Sequence, residues 1–329
     1  MEAEEKTVTL WQKEVSFMIR SLVPVRGFIK NISPFNNRDD MPSALLITKK
    51  LLAFFLCYLA GIFLAEGLVI GGLFLCGRNF LKGEMFSENV MMLLKLYGMI
   101  ILIAVCILYW KLVVKRKLNE MGITKKISGW FMGAGMGVVL IITAVSAIMV
   151  TGTIKFSGFS ANFNTTMLLM LGGYIVQGAA EELLSRGLVF CSLKDKVSLP
   201  AAVGASAAAF ALPHIGTLCS FEAEYIFPGV LCLILISCVF SLLTLRTKSI
   251  WAACGLHSMW NFCLSCILGL DLSGSEGSWA VINMRTSGKN LFNGGRYGIE
   301  ASIITAAVLA AAAVLLWHMY KRNNTERQA

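Results

Sequence analysis

The sequence predicts an all-α fold: a polytopic membrane bundle of about eight transmembrane helices. Three observations predict it. Hydrophobic residues make up 57% of the 329-residue chain, and mean hydropathy is +0.71. Charged residues are only 15%, against roughly 25% in a soluble domain, so no aqueous core of this size would hide the apolar sequence. The apolar residues also gather into runs of about 20, enough to cross ~30 Å of hydrocarbon as a helix.

The spans are expected near 51–75, 90–110, 129–150, 167–190, 199–217, 226–244, 249–270 and 301–320. The first is apolar apart from Glu66, and the second apart from Lys95. The third carries no charge, and its Gly133, Gly135 and Gly137 suit close helix packing in lipid. The fourth holds Glu181, Glu182 and Arg186, the fifth Pro213 and His214, and the seventh His257 and Asn261. The sixth is evenly apolar. The last contains the run Ala310 to Ala313 and ends near His318. Residues 1–45 read as a polar cytoplasmic segment, 46–322 as the membrane domain and 323–329 as a cytoplasmic tail. The polar start argues against a cleaved signal peptide, and Thr7 to Lys30 has some amphipathic character, which fits a helix on the membrane surface or equally a flexible tail.

The net charge is +10, but the bases lie between apolar runs and form no long basic tract. That pattern points to a bilayer as partner and not to nucleic acid. Lys111, Lys115, Arg116, Lys117, Lys125 and Lys126 follow the second span; Lys194 and Lys196 follow the fourth; Arg246 and Lys248 follow the sixth. The opposite loops are poorer in bases. The positive-inside rule then places both termini in the cytoplasm of a multi-pass protein of the cell membrane.

Most of the ten cysteines sit inside apolar runs, where a thiol acts as a small hydrophobe. Cys263 and Cys266 form a C-x-x-C pair, for which a redox or zinc role is the lesser alternative. No disulfide framework is legible.

Ionisable side chains inside a membrane span are costly and usually face a cavity or a partner. Glu182 and Arg186 are four apart and share a helix face, while Glu181 points about 100° away. One glutamate can be locked by the arginine while the other moves a proton. The competing reading is an ordinary ion pair at an interfacial helix end. His257 and Asn261 are again four apart on one face. Together these residues permit hydrolysis: a Glu–His pair to activate water, and a histidine and an amide to stabilise an oxyanion. Alternatively Glu, His and His could hold zinc, although no H-E-x-x-H motif is present. Depth poses a difficulty. Glu181 and His257 fall roughly 10–14 Å from the cytoplasmic face and His214 about 22 Å. The three meet only if the fifth helix starts deeper, tilts or breaks near Pro213.

The ordered set E-E-x-x-x-R (Glu181, Glu182, Arg186), F-x-x-x-H (Phe210, His214) and H-x-x-x-N (His257, Asn261) resembles the CAAX protease and bacteriocin-processing family, over about 165–270. The resemblance implies an intramembrane endopeptidase acting on prenylated, CAAX-like or other membrane-associated peptides and proteins. It implies Glu181 and His214 as the water-activating pair and His257 and Asn261 as oxyanion donors. Glu182, Arg186 and Phe210 would support them. The family has been described both with and without a metal, so zinc stays open. A transporter or channel is disfavoured by the lack of an inverted repeat. A non-catalytic scaffold or immunity protein is the other alternative. The cluster is expected to face the cytoplasm.

Overall fold

The computed structural model describes residues 31–160, 165–275 and 280–328. The expected surface helix Thr7 to Lys30 lies outside the described residues. The bundle comprises α1 (Ser43–Leu75), α2 (Glu88–Tyr109), α3 (Ser128–Val150) and α4 (Thr165–Glu182). It continues with α5 (Leu199–Leu218), α6 (Ile226–Thr247), α7 (Trp251–Phe262) and α8 (Ile303–Gln328). Three helices widen into π turns: α2 over Trp110–Val114, α4 over Leu183–Phe190 and α7 over Cys263–Ile267. α4 then runs on to Leu193.

Among the described residues, seven helices are long and apolar enough to cross a membrane. The one that falls short is α7, expected to fill 249–270. With its π turn it ends at Ile267, so it spans about 25 Å at 1.5 Å per residue. The loops nevertheless sort as eight alternating crossings require. Asp39, before α1, binds Arg116 beyond α2 and Lys196 beyond α4. The Ile250 amide donates to Gly122 O (3.0 Å), and Trp251 Nε1 donates to Thr124 O (2.7 Å), joining the α2–α3 and α6–α7 loops on that same face. Arg246, near the end of α6, meets Met319 near the end of α8. On the opposite face the Ser287 amide donates to Thr153 O (2.8 Å), and Lys289 pairs with Glu222 (3.3 Å). The first of these two faces, which carries the basic loops, is the basic face.

The all-α expectation missed one small element. β1 (Ile154–Phe159) and β2 (Ile282–Thr286) pair antiparallel, Ile154 opposite Thr286, with an irregularity between Phe156 and Gly158. The strands come from distant loops, so no local hairpin signal announces them. Their pairing ties the outer ends of α3 and α7 together.

α3 and α7 pack backbone to backbone. A Cβ on Gly133 would lie 1.8 Å from Ala252 O, and one on Gly255 would lie 2.0 Å from Trp130 O. A Cβ on Gly137 would come within 2.7 Å of Leu256 O. The third glycine of the sequence motif, Gly135, faces open space. Gly133→Ala is therefore expected to cost at least the ~1–3 kcal/mol of ordinary overpacking, because rigid backbone is the obstacle. Gly135→Ala is expected to be neutral. Thermal unfolding of the two variants in detergent, side by side, checks this.

At the basic face Asp39 clamps three elements. Its Oδ1 meets Lys50 of α1 at 2.8 Å, and its Oδ2 meets Arg116 at 2.8 Å and also Lys196. Burial alone would raise the Asp39 carboxyl, but hydrogen bonds and charge from Lys196 and Lys50 outweigh it and hold it below its ordinary value. A lowered folded-state pKa means that the clamp contributes fully above ~3.9 and is lost as pH falls through the folded value. Asp39→Asn is expected to lower stability at neutral pH and to flatten its loss below about pH 4. Unfolding temperature against pH, compared with the native chain, reads this directly.

Candidate active site

The site is built where α4, α5 and α7 meet, and the depth difficulty resolves without a break. α5 starts at Leu199, as expected, and runs unbroken through Pro213. The correction lies in the other two helices. α4 continues to Leu193, which sets Glu181 about 18 Å from that end. α7 starts inset, because the loop before α3 folds inwards beneath it. A Cβ on Gly122 would touch Ile250 (2.8 Å) and Cys191 (3.5 Å), and Met121 lies against Gly187. The first turn of α7 thus sits about one turn inside the end of α4, and His257 rises towards the level of Glu181 and His214.

Glu181 Oε2 lies 3.7 Å from His214 Nε2 and 3.8 Å from His257 Nε2. That oxygen is buried and has no hydrogen-bond partner. The other carboxylate oxygen, Oε1, accepts from Gln177 Nε2 at 3.1 Å. Gln177 Oε1 in turn accepts from Asn261 Nδ2 at 3.3 Å. So Asn261 reaches Glu181 through one intervening amide.

Both imidazoles are held by Nδ1. His214 Nδ1 lies 2.8 Å from the Phe210 carbonyl, and His257 Nδ1 lies 2.9 Å from Glu182 Oε1. A carbonyl and a carboxylate only accept, so each Nδ1–H donates. In a neutral ring Nε2 then presents its lone pair to Glu181.

Glu182 and Arg186 lie behind this layer, both fully buried, with Arg186 Nε 3.2 Å from Glu182 Oε2. Arg186 Nη2 donates to Ser237 Oγ at 2.6 Å. Its guanidinium lies 4.7 Å from the ring centres of both Phe210 and Phe240. Phe240 also stacks on His257, with centroids 5.2 Å apart. The alternative of an interfacial ion pair is overturned: Arg186 is 0% exposed, and the helix continues for seven residues beyond it. The wide turn begins at Leu183, directly after Glu182, and the Ser206 hydroxyl donates to Ser185 O within it at 2.8 Å. π turns recur at functional sites.

The structure brings Glu181, His214, His257, Glu182, Arg186 and Phe210 into one cluster, with Asn261 joined through Gln177. Sequence reasoning missed Gln177, Ser237 and Phe240. Gln177 carried a signal, since it stands one turn before Glu181 in the same polar stretch. Ser237 and Phe240 carried none, as they come from the evenly apolar α6. Cys263 and Cys266 are free and buried in the π turn of α7.

Zinc would have to use Glu181, His214 and His257. Among the described residues no three His, Cys, Asp or Glu side chains gather as a metal site. The separations of 3.7 and 3.8 Å also exceed the ~3.4 Å between neighbouring ligands of tetrahedral zinc with bonds of about 2.0–2.1 Å. The zinc alternative therefore finds no support in these donors.

Residues 163–263 match the family model described as type II CAAX prenyl endopeptidase Rce1-like. Over this segment the chain is similar to CAAX protease domains. The Rce1-like domain covers less than half of the chain but takes in α4, α5, α6 and α7 up to Cys263. It therefore contains every residue of the cluster just described. No curated protein and no solved structure matched the chain.

Proposed function

We propose that this protein is an intramembrane endopeptidase that hydrolyses a peptide bond of a membrane-associated substrate, of the prenylated or CAAX-like kind or another membrane-anchored chain. The observation that carries the reading is the unpartnered Glu181 Oε2 facing two imidazole Nε2 atoms. Glu181 and His214 take a proton from a water placed between them, and the water oxygen bonds to the substrate carbonyl carbon. The carbonyl becomes an oxyanion. His257, when doubly protonated, donates to it through Nε2 while Glu182 holds Nδ1, and Asn261 donates through its amide. Collapse of the intermediate breaks the C–N bond, and the proton on Glu181 passes to the leaving nitrogen. Glu182, Arg186 and Phe210 position the histidines and do not touch the reacting atoms. The protein sits in the cell membrane, with both termini on the cytoplasmic side, where its basic loops belong.

The test compares the membrane proteomes and released peptides of cells carrying the native chain and the Glu181→Ala chain. A fragment that appears only with the native chain is the expected result. Identical fragment sets, at equal protein abundance, would sink the reading.

A further inference from the structure

A cavity of about 950 Å³ leads away from Glu181, His214 and His257. Its walls near the surface are Leu73, at the end of α1, Phe80 and Met85 in the next loop, Thr217 near the end of α5, and Ser275. All belong to the face opposite the basic loops. In the other direction it stops at Phe54, Leu184 and Ser185. No residue of loops 115–127, 194–198 or 248–250 lines it. On that side Arg186, Phe190, Met121 and Trp110 are all fully buried. The cavity thus runs towards the face opposite the one expected for the opening of the site.

The same cavity accounts for the ionisable residues that the mechanism leaves unused. Glu66, Lys95 and Glu88 all line it, and all three side chains are exposed. Glu66 lies about 14 Å inside the outer end of α1, and Lys95 about 10 Å inside the outer end of α2. At those depths a charge facing lipid is expensive, whereas one facing a water-holding cavity is not.

We infer that substrate reaches the cluster from the membrane face opposite the basic loops, through a largely apolar vestibule whose wall carries Glu66, Lys95 and Glu88. The inference rests on the endopeptidase reading for the word substrate. With the basic face in the cytoplasm, the substrate class narrows to a polypeptide segment presented on the non-cytoplasmic side: an exported peptide, or the segment beside the anchor of a membrane protein. Residues of both signs in the vestibule suit the polar backbone of an extended chain.

The experiment uses the full-length chain in intact cells and a membrane-impermeant maleimide. Cys76 and Cys219 are free and exposed near the outer ends of α1 and α5, so they report which side that face is on. With both replaced by serine, Lys95→Cys and separately Glu66→Cys report the vestibule, and Lys248→Cys reports the basic face. The expected result is labelling of Cys76, Cys219, Lys95→Cys and Glu66→Cys from outside, and of Lys248→Cys only after permeabilisation. Labelled Lys95→Cys should also lose cleavage. If the vestibule variants react only after permeabilisation, or only with a lipid-soluble maleimide, the inference is overturned. Labelling needs no substrate, so a failed peptidase reading shows separately, as no cleavage by any variant.

Discussion

Glu181→Gln is expected to lower peptide cleavage by about 10²–10⁴-fold while the protein still inserts and folds. The substitution keeps the shape of the side chain, and its amide oxygen can still accept from Gln177 Nε2, the contact that orients Glu181 in the native chain. What it removes is the basic oxygen between His214 and His257. Because the new amide presents N–H to those imidazoles, binding of substrate should change less than turnover. A purified protein in proteoliposomes, with a fluorogenic membrane-anchored peptide, would separate the two: kcat falls and KM stays close to native. Equal kcat in the variant would remove Glu181 from the chemistry.

Arg186→Met is expected to destabilise the fold by about 3–5 kcal/mol, the cost of leaving one partner of a buried ion pair alone. Glu182 is 0% exposed and would be left with only His257 beside it. Arg186→Lys should rescue little. An ammonium cannot bind Glu182 and Ser237 in the same fork while lying flat between Phe210 and Phe240. The double variant Glu182→Gln, Arg186→Met removes both charges and is expected to regain much of the stability. It should not regain full activity, because His257 Nδ1 then faces an amide in place of a carboxylate. Unfolding temperatures in detergent for the three variants check the order. A double variant no more stable than the single would show that the buried charge is not the cause.

The bundle was legible because hydrophobic runs of membrane length need no tertiary information. The cluster was legible because charged and polar residues inside such runs stand out, and Glu181, Glu182, Arg186, His257 and Asn261 repeat at helical spacing. What stayed hidden depends on distant contacts. The β1–β2 pairing joins loops whose local sequence is unremarkable. The inset start of α7 depends on Met121 and Gly122 folding beneath it, and from spacing alone His214 and His257 could not be brought level. Phe240 and Ser237 look like any other residues of an apolar helix until their neighbours are known. The direction of the cavity was hidden for the same reason, since depth along one helix says nothing about which side its neighbours leave open.

The Asp39 clamp has a mechanical consequence. It fastens α1 at the basic end, through Lys50, to the loops beyond α2 and α4. Towards its far end α1 turns Phe63, Leu64, Leu68 and Leu75 outwards. The α3–α7 pair is held differently, by backbone contact along its length and by the strands at its outer end. α1 is nevertheless no free lever: Leu102 of α2 lies against Gly61, Ala65 faces Gly98, and Leu73 is fully buried at its far end, so the vestibule is walled on both sides by packed helices.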